Sequence, residues 1–417
     1  MTGGQTAIVA GGGIAGLASA VALAQAGWRV TVLERAPAFA EVGAGLGFTA
    51  NGMAALRALG IEEAVRAAGH LAPHAGYQDR GGRWLVRLPE TGPVPRRVMT
   101  YCGIHRQQLH AALRQAAEDI GAELVTGAEV TAVRSGSVRS GVPSDNVRSA
   151  DPAGDPAAVT WRTSAGEHTG EADLVVAADG VRSTVRTQLF PDARVRYAGS
   201  TSWRAVVRDC AFDGRLIEVW GPGTEFGALR ISADEVYWYG EFVHAEAAHF
   251  ADELATAEAH FAGWAPWIRA MVAGTAASQL MRHDVYHLPG GCPRYVRGRV
   301  VITGDAAHAM LPTIGQGAAT ALEDGVCVGR MIAAPVSDGG DMAGALAAFD
   351  RARRRRCRQL ARQANLVARL GFELGDGWRQ PVRNTLLRLI PTGPALRAGA
   401  RIASWTPPEQ PARSAQE

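Results

Sequence analysis

The sequence predicts an α/β fold in which a Rossmann-like domain is interleaved with an antiparallel sheet and followed by a C-terminal helical region. A glycine-rich turn joins an apolar strand to a helix near the start of the chain, and a second such turn follows a strand near residue 304. Several short runs with strand character, bounded by turn residues, lie between them. The chain has 417 residues, enough for two closely packed domains.

Composition limits the classes of function. The chain is 47% hydrophobic and 20% charged with a net charge of +3, which fits a soluble protein and requires neither nucleic acid nor membrane as a partner. Its five cysteines show no paired spacing, which argues against a disulfide framework or a metal site. No apolar run is long enough to span a bilayer, and the first residues lack the pattern of a signal peptide. We therefore expect a cytoplasmic protein.

The first glycine-rich turn has the spacing GxGxxG and follows the strand predicted at residues 7–10. Gly11 permits a tight turn, and Gly13 allows a pyrophosphate to approach the backbone. Gly16, after Ala15, lets the helix lie close to the sheet. The free amides at the helix N-terminus then face the anion. This turn predicts a dinucleotide site.

A carboxylate stands where such a site needs one. The second predicted strand covers residues 28–33 and ends at Glu34, which can accept hydrogen bonds from ribose hydroxyls and disfavours a phosphorylated ribose. The strand, the helix and Glu34 follow one another at the spacing of a dinucleotide-binding motif. They do not distinguish FAD from NAD.

The segment at residues 304–318, GDAAHAMLPTIGQGA, resembles the second FAD fingerprint of class A flavoprotein monooxygenases, the aromatic hydroxylases of the para-hydroxybenzoate hydroxylase type. The resemblance implies that Asp305 binds ribityl hydroxyls and that residues 312–317 pass beside the isoalloxazine ring. A helix is predicted from residue 318, and its positive N-terminus would stabilise the anionic reduced flavin.

Three further segments resemble the same family. They are the strand that ends in Asp179-Gly180, the Arg-x-x-Leu element that begins at Arg106, and the glycine-rich loop at residues 41–47. The resemblance implies that Asp179 serves the pyrophosphate region and the nicotinamide, and that Arg106 contacts the phosphates. The cofactor-binding residues expected in this way, for FAD, are Gly11, Gly13, Ala15, Gly16, Glu34, Arg35, Ala44, Gly45, Arg106, Val130, Asp179, Asp305, Pro312, Gly315, Gln316, Gly317 and Ala318.

The expected domains alternate along the chain. The FAD-binding domain takes residues 1–70, 103–190 and 290–345, the substrate-binding domain takes 71–102 and 191–289, and the helical region with its tail takes 346–417. A loop without chemistry is expected at 135–158. The arginine-rich run at 351–358 is expected to form a solvated or interdomain basic face.

The substrate-binding domain is expected to place an antiparallel sheet over the flavin, with strands at 216–220, 226–231 and 236–242. Alternation on the last strand sends Tyr237 and Tyr239 to one face and Trp238 to the other, where ordinary sheet packing is the simpler role for any one of them.

The candidate catalytic residues are Arg204, Tyr239 and His283. The resemblance makes Arg204 the leading group for orienting an anionic or phenolate oxygen, and a surface salt bridge is its alternative role. The catalytic base stays open among the three. His308 is expected to be a packed structural histidine.

The resemblance implies an FAD-dependent monooxygenase that hydroxylates a small aromatic or heteroaromatic substrate through a flavin hydroperoxide, with NADH or NADPH and O2 as co-substrates. A monomer or a homodimer is expected. The alternatives are a flavin-dependent dehydrogenase or reductase without oxygen insertion, an epoxidase or Baeyer–Villiger enzyme on the same fold, and a non-catalytic flavin-binding protein.

Overall fold

The computed structural model describes residues 4–39, 43–89, 99–138, 154–389 and 391–409, which form three sheets and their covering helices. The strands are β1 (Thr6–Ala10), β2 (Arg29–Leu33), β3 (Gly45–Phe48), β4 (His70–Asp79), β5 (Trp84–Arg87), β6 (Thr100–His105), β7 (Glu123–Val125), β8 (Glu129–Arg134), β9 (Ala157–Thr163), β10 (Gly166–Ala172), β11 (Leu174–Ala177), β12 (Arg196–Arg208), β13 (Leu216–Gly221), β14 (Thr224–Arg230), β15 (Glu235–Val243), β16 (Met281–His287), β17 (Val296–Arg297) and β18 (Val300–Ile302). The α-helices are α1 (Ile14–Gln25), α2 (Ala50–Ala58), α3 (Glu62–Ala68), α4 (Arg106–Asp119), α5 (Thr184–Leu189), α6 (Glu253–Phe261), α7 (Pro266–Ala273), α8 (Asp305–His308), α9 (Gly317–Cys327), α10 (Ala334–Ser337), α11 (Met342–Leu370), α12 (Arg379–Leu389) and α13 (Gly393–Ala403).

The six-stranded sheet has the order β17-β18-β11-β1-β2-β7 and is parallel except for the β17–β18 pair. Its central strands β1 and β11 are almost wholly apolar and buried, because α1 and the strands β9 and β10 of another sheet cover them. The strands predicted at residues 7–10 and 28–33 are confirmed, as is the mixed α/β fold class.

Helices α1 and α9 pack against each other through small residues. A Cβ on Gly325 would lie 2.6 Å from the Cβ of Ala18, and one on Gly329, in the π-helical segment Val328–Ala333 that continues α9, would lie 2.7 Å from the Cβ of Ala22. Side chains at these glycines would push the helices apart, so the sequence allows the two backbones to meet. Because α1 follows the first glycine-rich turn and α9 follows the second, this packing brings the two turns together.

The nine-stranded sheet runs β16-β12-β15-β14-β13-β4-β6-β3, with β5 paired to β4. The strands predicted at 216–220, 226–231 and 236–242 are confirmed as β13, β14 and β15, and their pairing is antiparallel. One face packs against α6 and α7 through a core that includes Trp203, Phe226, Trp238 and Phe261. Tyr237 and Tyr239 lie on the opposite face, as the alternation predicted.

A three-stranded sheet, β10-β9-β8, completes the strands. The predicted loop at 135–158 agrees with the observed bounds, since β8 ends at Arg134 and β9 begins at Ala157. Residues 139–153 of that loop lie outside the described residues.

The C-terminal region is helical and begins with the long helix α11. The arginine-rich run lies on this helix, and the structure divides it: Arg351 and Arg355 are exposed, whereas Arg353 is buried against α9. Only part of the run therefore forms the predicted solvated face, because residues three or four apart on a helix share a side and one side of α11 faces the core. Of the helices in the described part of the chain, none is both long and apolar enough to cross a membrane.

Candidate active site

The first glycine-rich turn forms an open cradle at the end of β1. Gly11 has φ +104°, and a Cβ there would collide with the carbonyl oxygen of Ala178. A Cβ on Gly16 would collide with the carbonyl oxygen of Gly11. At Gly13, by contrast, a Cβ would meet none of the described atoms within 4 Å, so this part of the turn faces open space. The three glycines thus have the backbone geometry that a pyrophosphate-binding turn requires, and their binding of a pyrophosphate stays a prediction.

Glu34 is held firmly at the end of β2. Its Oε2 accepts a hydrogen bond from the Gly12 amide at 2.7 Å, and its Oε1 accepts one from the Ala36 amide at 2.8 Å. The Ala128 amide donates to the Glu34 carbonyl at 2.8 Å, which brings the start of β8 and therefore Val130 toward this end of the site. Arg35 follows the strand and is exposed.

The second glycine-rich turn touches the first. Gly304 has φ +58°, and a Cβ there would lie 2.7 Å from the Cβ of Ala15. The next residue, Asp305, begins the short helix α8 and is exposed at the end of β18. The predicted placement of Asp305 at a strand end beside the first turn is therefore observed.

The chain from Pro312 to Gly317 forms a second open surface. Residues Pro312–Ile314 make one 3-10 turn, Gly315 adopts a left-handed conformation, and α9 begins at Gly317, one residue before the prediction. Added Cβ atoms on Gly315 and Gly317 would meet none of the described atoms within 4 Å. No side chain in the described ranges caps α9, so its first amides and its positive dipole end can face an anionic group.

The side chain of Gln316 holds the start of α9 in place. The side chain is buried, accepts from Asn51 at 2.9 Å and donates to Thr49 at 3.2 Å, while Asn51 also donates to Glu323 at 2.8 Å. These bonds fix the N-terminus of α9 against α2. Gln316 can thus offer a cofactor its backbone, and its amide group positions the loop.

The middle segment contributes Asp179. Its Oδ2 accepts from the Val185 amide at 3.0 Å, and its Oδ1 is buried with no hydrogen-bond partner among the described residues. Arg186 ties this segment to the second turn by donating to the carbonyls of Val181 at 2.7 Å and Ala306 at 3.1 Å. An orphaned buried carboxylate oxygen is a site for a donor from a bound molecule.

His308 is a packed structural histidine, as predicted. It is buried, and its Nε2 lies 2.6 Å from Asp324 Oδ2, while Arg353 donates to the other oxygen of Asp324 at 2.6 Å. Burial opposes ionisation of Asp324, but His308 and Arg353 outweigh it and lower the pKa of Asp324 to about 2. The Asp324, His308 and Cys357 ligand atoms lie within 4.8 Å of one another, but Arg353 already supplies the positive charge that a metal ion would bring.

The predicted glycine-rich loop is shorter in the structure, because residues 45–47 belong to β3, the last strand of the nine-stranded sheet. A Cβ on Gly45 would collide with the side chain of Tyr237, and one on Gly43 would lie 2.6 Å from the side chain of Arg106. The Arg106 amide donates to the Ala44 carbonyl at 2.9 Å. Glu41 and Val42, the first residues of the predicted loop, lie outside the described residues.

The three candidate catalytic residues lie on one face of the sheet. Arg204 on β12 is directly opposite Tyr239 on β15, and Ser202, two residues earlier on the same face, is opposite His283 on β16. Burial lowers the pKa of His283, and the charges of Arg204 and Arg106 lower it further. Arg204 therefore shares with Tyr239 the face of the sheet opposite the core formed with α6 and α7.

A family model described as an FAD binding domain matches residues 5–364. The chain belongs to this FAD-binding domain family. Aurachin C monooxygenase/isomerase of Stigmatella aurantiaca is 31% identical over 98% of this chain and 100% of its own length. The 2-heptyl-3-hydroxy-4(1H)-quinolone synthase of Pseudomonas aeruginosa is 32% identical over 95% of this chain and 97% of its own. The structure of Klebsiella pneumoniae HpxO with FAD and uric acid superposes with a TM-score of 0.78 at 25% identity, covering 97% of each chain. The protein is an FAD-dependent monooxygenase.

The residues of this flavoprotein fit FAD. The open space at Gly13 suits the pyrophosphate, Glu34 suits the ribose, and the open surface at Gly315 and Gly317 suits the ring. The contact between Ala15 and Gly304 lets one extended molecule reach both turns. The individual contacts expected for these residues, and for Arg106 and the others, remain predictions.

The sequence reasoning missed a hydrogen-bonded group around Glu218. Tyr239 donates its hydroxyl to Glu218 Oε1 at 3.2 Å, and His74 Nε2 lies 3.2 Å from Glu218 Oε2. Burial, reinforced by the charge of Glu218, raises the pKa of Tyr239 well above its usual range. Tyr77 packs edge-on against His74, with ring centroids 5.3 Å apart. Tyr239 therefore stays protonated and donates.

A pair of buried carboxyl groups was missed as well. Glu225 and Glu241 are directly opposite on β14 and β15, and both are almost completely buried. Burial, with Glu241 beside it, raises the pKa of Glu225 well above its usual range, and burial raises that of Glu241 to about 7. The pair thus holds at least one proton at neutral pH. Alternation was the available signal, since Glu241 shares its parity with Tyr237 and Tyr239.

Proposed function

We propose that this flavoprotein monooxygenase hydroxylates a small aromatic or heteroaromatic ring, using NADH or NADPH and O2. The observation that carries the proposal is the polar group of Arg204, Tyr239 and Glu218 on one face of the sheet. The same face carries Tyr237, whose side chain packs closely against Gly45. The names of the relatives support the substrate class, because they describe enzymes of quinolones and, in Klebsiella pneumoniae, of urate.

FAD, once reduced by the nicotinamide, supplies the activation of O2 for oxygen insertion. The chain's own contribution at the ring is electrostatic. The first amides of α9, which begins at Gly317, and the positive end of that helix would stabilise negative charge on a group at the Gly315–Gly317 surface. The bonds of Gln316 to Asn51 and Thr49 hold these amides in position, so they need not reorient when negative charge develops.

Substrate activation requires a proton to leave a ring hydroxyl or N–H group, because an anionic ring is the better nucleophile. Tyr239 can receive the substrate's hydrogen bond while donating its own proton toward Glu218, and His74 lies at the other oxygen of Glu218. Arg204 cannot act as a base, since a guanidinium stays protonated, but it can orient and stabilise the substrate anion. We therefore assign proton acceptance to Glu218 and His74 through Tyr239, and orientation to Arg204.

We assign His283 a secondary role in substrate binding. Its lowered pKa leaves the imidazole neutral at pH 7, so it can accept a hydrogen bond from the substrate. His283 is only partly buried on β16, the edge strand of the sheet, so we place it at the rim of the proposed substrate site. The enzyme is proposed to act in the cytoplasm as a monomer or homodimer, with no nucleic-acid partner.

The test is a ligand screen that follows nicotinamide oxidation and hydrogen peroxide together. A true substrate accelerates oxidation and lowers the peroxide released for each nicotinamide consumed. Product formed in full yield without O2 would replace the proposal with a dehydrogenase or reductase, and a yellow protein that no ligand stimulates would replace it with a flavin-binding role.

Arg204→Ala tests the orienting group. We expect turnover to fall by about a hundredfold or more while the flavin content stays unchanged. Arg208→Ala is the matched control, because Arg208 lies on the same strand but pairs with Glu235 at the exposed end. Equal turnover in Arg204→Ala and the wild type would remove Arg204 from the site.

A further inference from the structure

An apolar stripe lies on the surface of the C-terminal helices. Nine large hydrophobic side chains of the described residues are exposed, and six of them belong to the end of α11 and to α12 with the residue before it. The six side chains, each between 46% and 74% exposed, are Leu366, Leu370, Trp378, Val382, Leu386 and Leu389. Scattered apolar residues on a surface are normal, but a concentration of this kind marks a contact with a partner or a membrane.

The spacing places the residues of each helix on one face of that helix. Trp378, Val382 and Leu386 follow one another at intervals of four residues along α12, which is the repeat of a single helical face. The two residues of the stripe on α11 are also four apart. An amphipathic helix ordinarily turns such a face toward the core, and here the face points to solvent.

The orientation of α12 is fixed by its opposite side. Arg383 is buried and donates to the carbonyl of Leu370 at 2.9 Å and to that of Gly371, which joins the start of α12 to the end of α11. Arg388 donates to the Trp84 carbonyl at 3.2 Å and pairs with Asp79 at 2.7 Å. The stripe cannot turn inward without breaking these contacts.

The same region is strongly basic. Residues 351–409 contain 13 arginines and three acidic residues, whereas the whole chain has a net charge of only +3. Arg362, Arg369 and Arg379 are exposed next to the stripe in sequence. A basic amphipathic helix with tryptophan on its apolar face is typical of segments that lie in the interface of an anionic membrane.

We propose that the apolar stripe and the arginines beside it dock this protein on the surface of an anionic lipid bilayer. A second copy of the chain fits less well, because a twofold contact through the stripe would bring two strongly basic regions together. A bilayer with anionic headgroups offers the opposite charge, apolar chains for the leucines and an interfacial position for Trp378. Docking of this kind requires no membrane-spanning helix. It departs from our sequence-based expectation of no membrane partner, and it does not depend on the proposed substrate.

The test is sedimentation of the full-length holoenzyme with vesicles, at low and high salt. Binding to vesicles of phosphatidylcholine with one-third phosphatidylglycerol is expected, with much weaker binding to phosphatidylcholine alone and release by salt. The variant Arg362→Gln/Arg369→Gln should bind about thirtyfold more weakly, since each arginine near an anionic surface contributes about 1 kcal/mol to the free energy of binding. Val382→Ser/Leu386→Ser should bind more weakly to a similar or larger degree.

Leu71→Ser is the matched control, because Leu71 is 53% exposed on β4, outside the stripe. Flavin absorbance and the urea midpoint confirm that each variant is folded. Failure of the wild type to bind anionic vesicles, or equal binding of the stripe variant, would overturn the proposal. A wild-type dimer that Val382→Ser/Leu386→Ser converts to a monomer, without vesicle binding, would assign the stripe to a second copy instead.

Discussion

Replacing Glu241 by Gln should stabilise the folded protein at pH 8 and have little effect near pH 4.5. Burial raises the pKa of Glu241 from its ordinary value of 4.5 to about 7. Between these two values the unfolded chain loses the proton while the folded protein keeps it, so the free energy of unfolding falls as the pH rises. The loss is complete above pH 7 and amounts to about 3 kcal/mol, from 2.5 pH units at about 1.36 kcal/mol each.

Glutamine removes this loss because it does not titrate, and it can still accept the hydrogen bond that Ser200 donates to Glu241 at 2.7 Å. It also removes a carboxyl group directly opposite Glu225, which acts in the same direction. The assay is urea unfolding of the wild type and the variant at pH 5 and pH 8. Glu167→Gln, on the exposed strand β10, is the control and should change stability by no more than about 0.5 kcal/mol. A gap between wild type and Glu241→Gln that is the same at both pH values, or larger at pH 5, would refute the reasoning.

Three other substitutions test the cofactor cradle, the buried ion pairs and the proton path. Gly13→Ala should leave the urea stability of the apoprotein unchanged but raise the FAD dissociation constant by at least about tenfold, because the added Cβ enters the cradle. The control Gly263→Ala, whose Cβ also enters open space, should bind FAD normally, and equal FAD affinities of the two variants would contradict the assignment. Arg353→Met should lower the free energy of unfolding by about 3 kcal/mol in urea titrations, because it leaves Arg356 as the cation beside Glu323 and His308 as the cation beside Asp324. A loss below about 1 kcal/mol would show that Arg356 and His308 are enough to hold the two carboxylates. Glu218→Gln should lower kcat by about a hundredfold, because it removes the carboxylate that accepts the Tyr239 hydroxyl proton, and Tyr239→Phe should lower kcat as well. An unchanged kcat in Glu218→Gln would place the base elsewhere.

The sequence was sufficient for the nucleotide-binding half of the fold, because local rules govern it. Glycine-rich turns, strand runs and helix starts depend on neighbours within a few residues, so the helix predicted from residue 318 begins at Gly317 and the strand predicted at 28–33 appears at Arg29–Leu33. The division into domains was drawn from the same patterns and stays a prediction.

The polar side of the pocket was harder to predict, since it depends on which strands become neighbours. Glu218 belongs to β13, His74 to β4 and Tyr239 to β15, and no pattern within one segment brings them together. The parallel pairing of β13 with β4, across about 140 residues of chain, creates the contact of His74 with Glu218. The burial of Arg353 was missed for the same reason, because its partners lie on another helix.

Trp220 gives the helical end of the chain a part in shaping the pocket. Its ring is tilted by 40° against that of Tyr77, with centroids 4.5 Å apart, and it also meets Gly371 and the guanidinium of Arg383, 5.5 Å away. The indole therefore packs against both the sheet and the C-terminal helices, so a ligand that displaces it would also disturb the junction of α11 and α12. Conversely, whatever holds or lifts α12 at its outer surface would be felt at Tyr77, inside the enzyme.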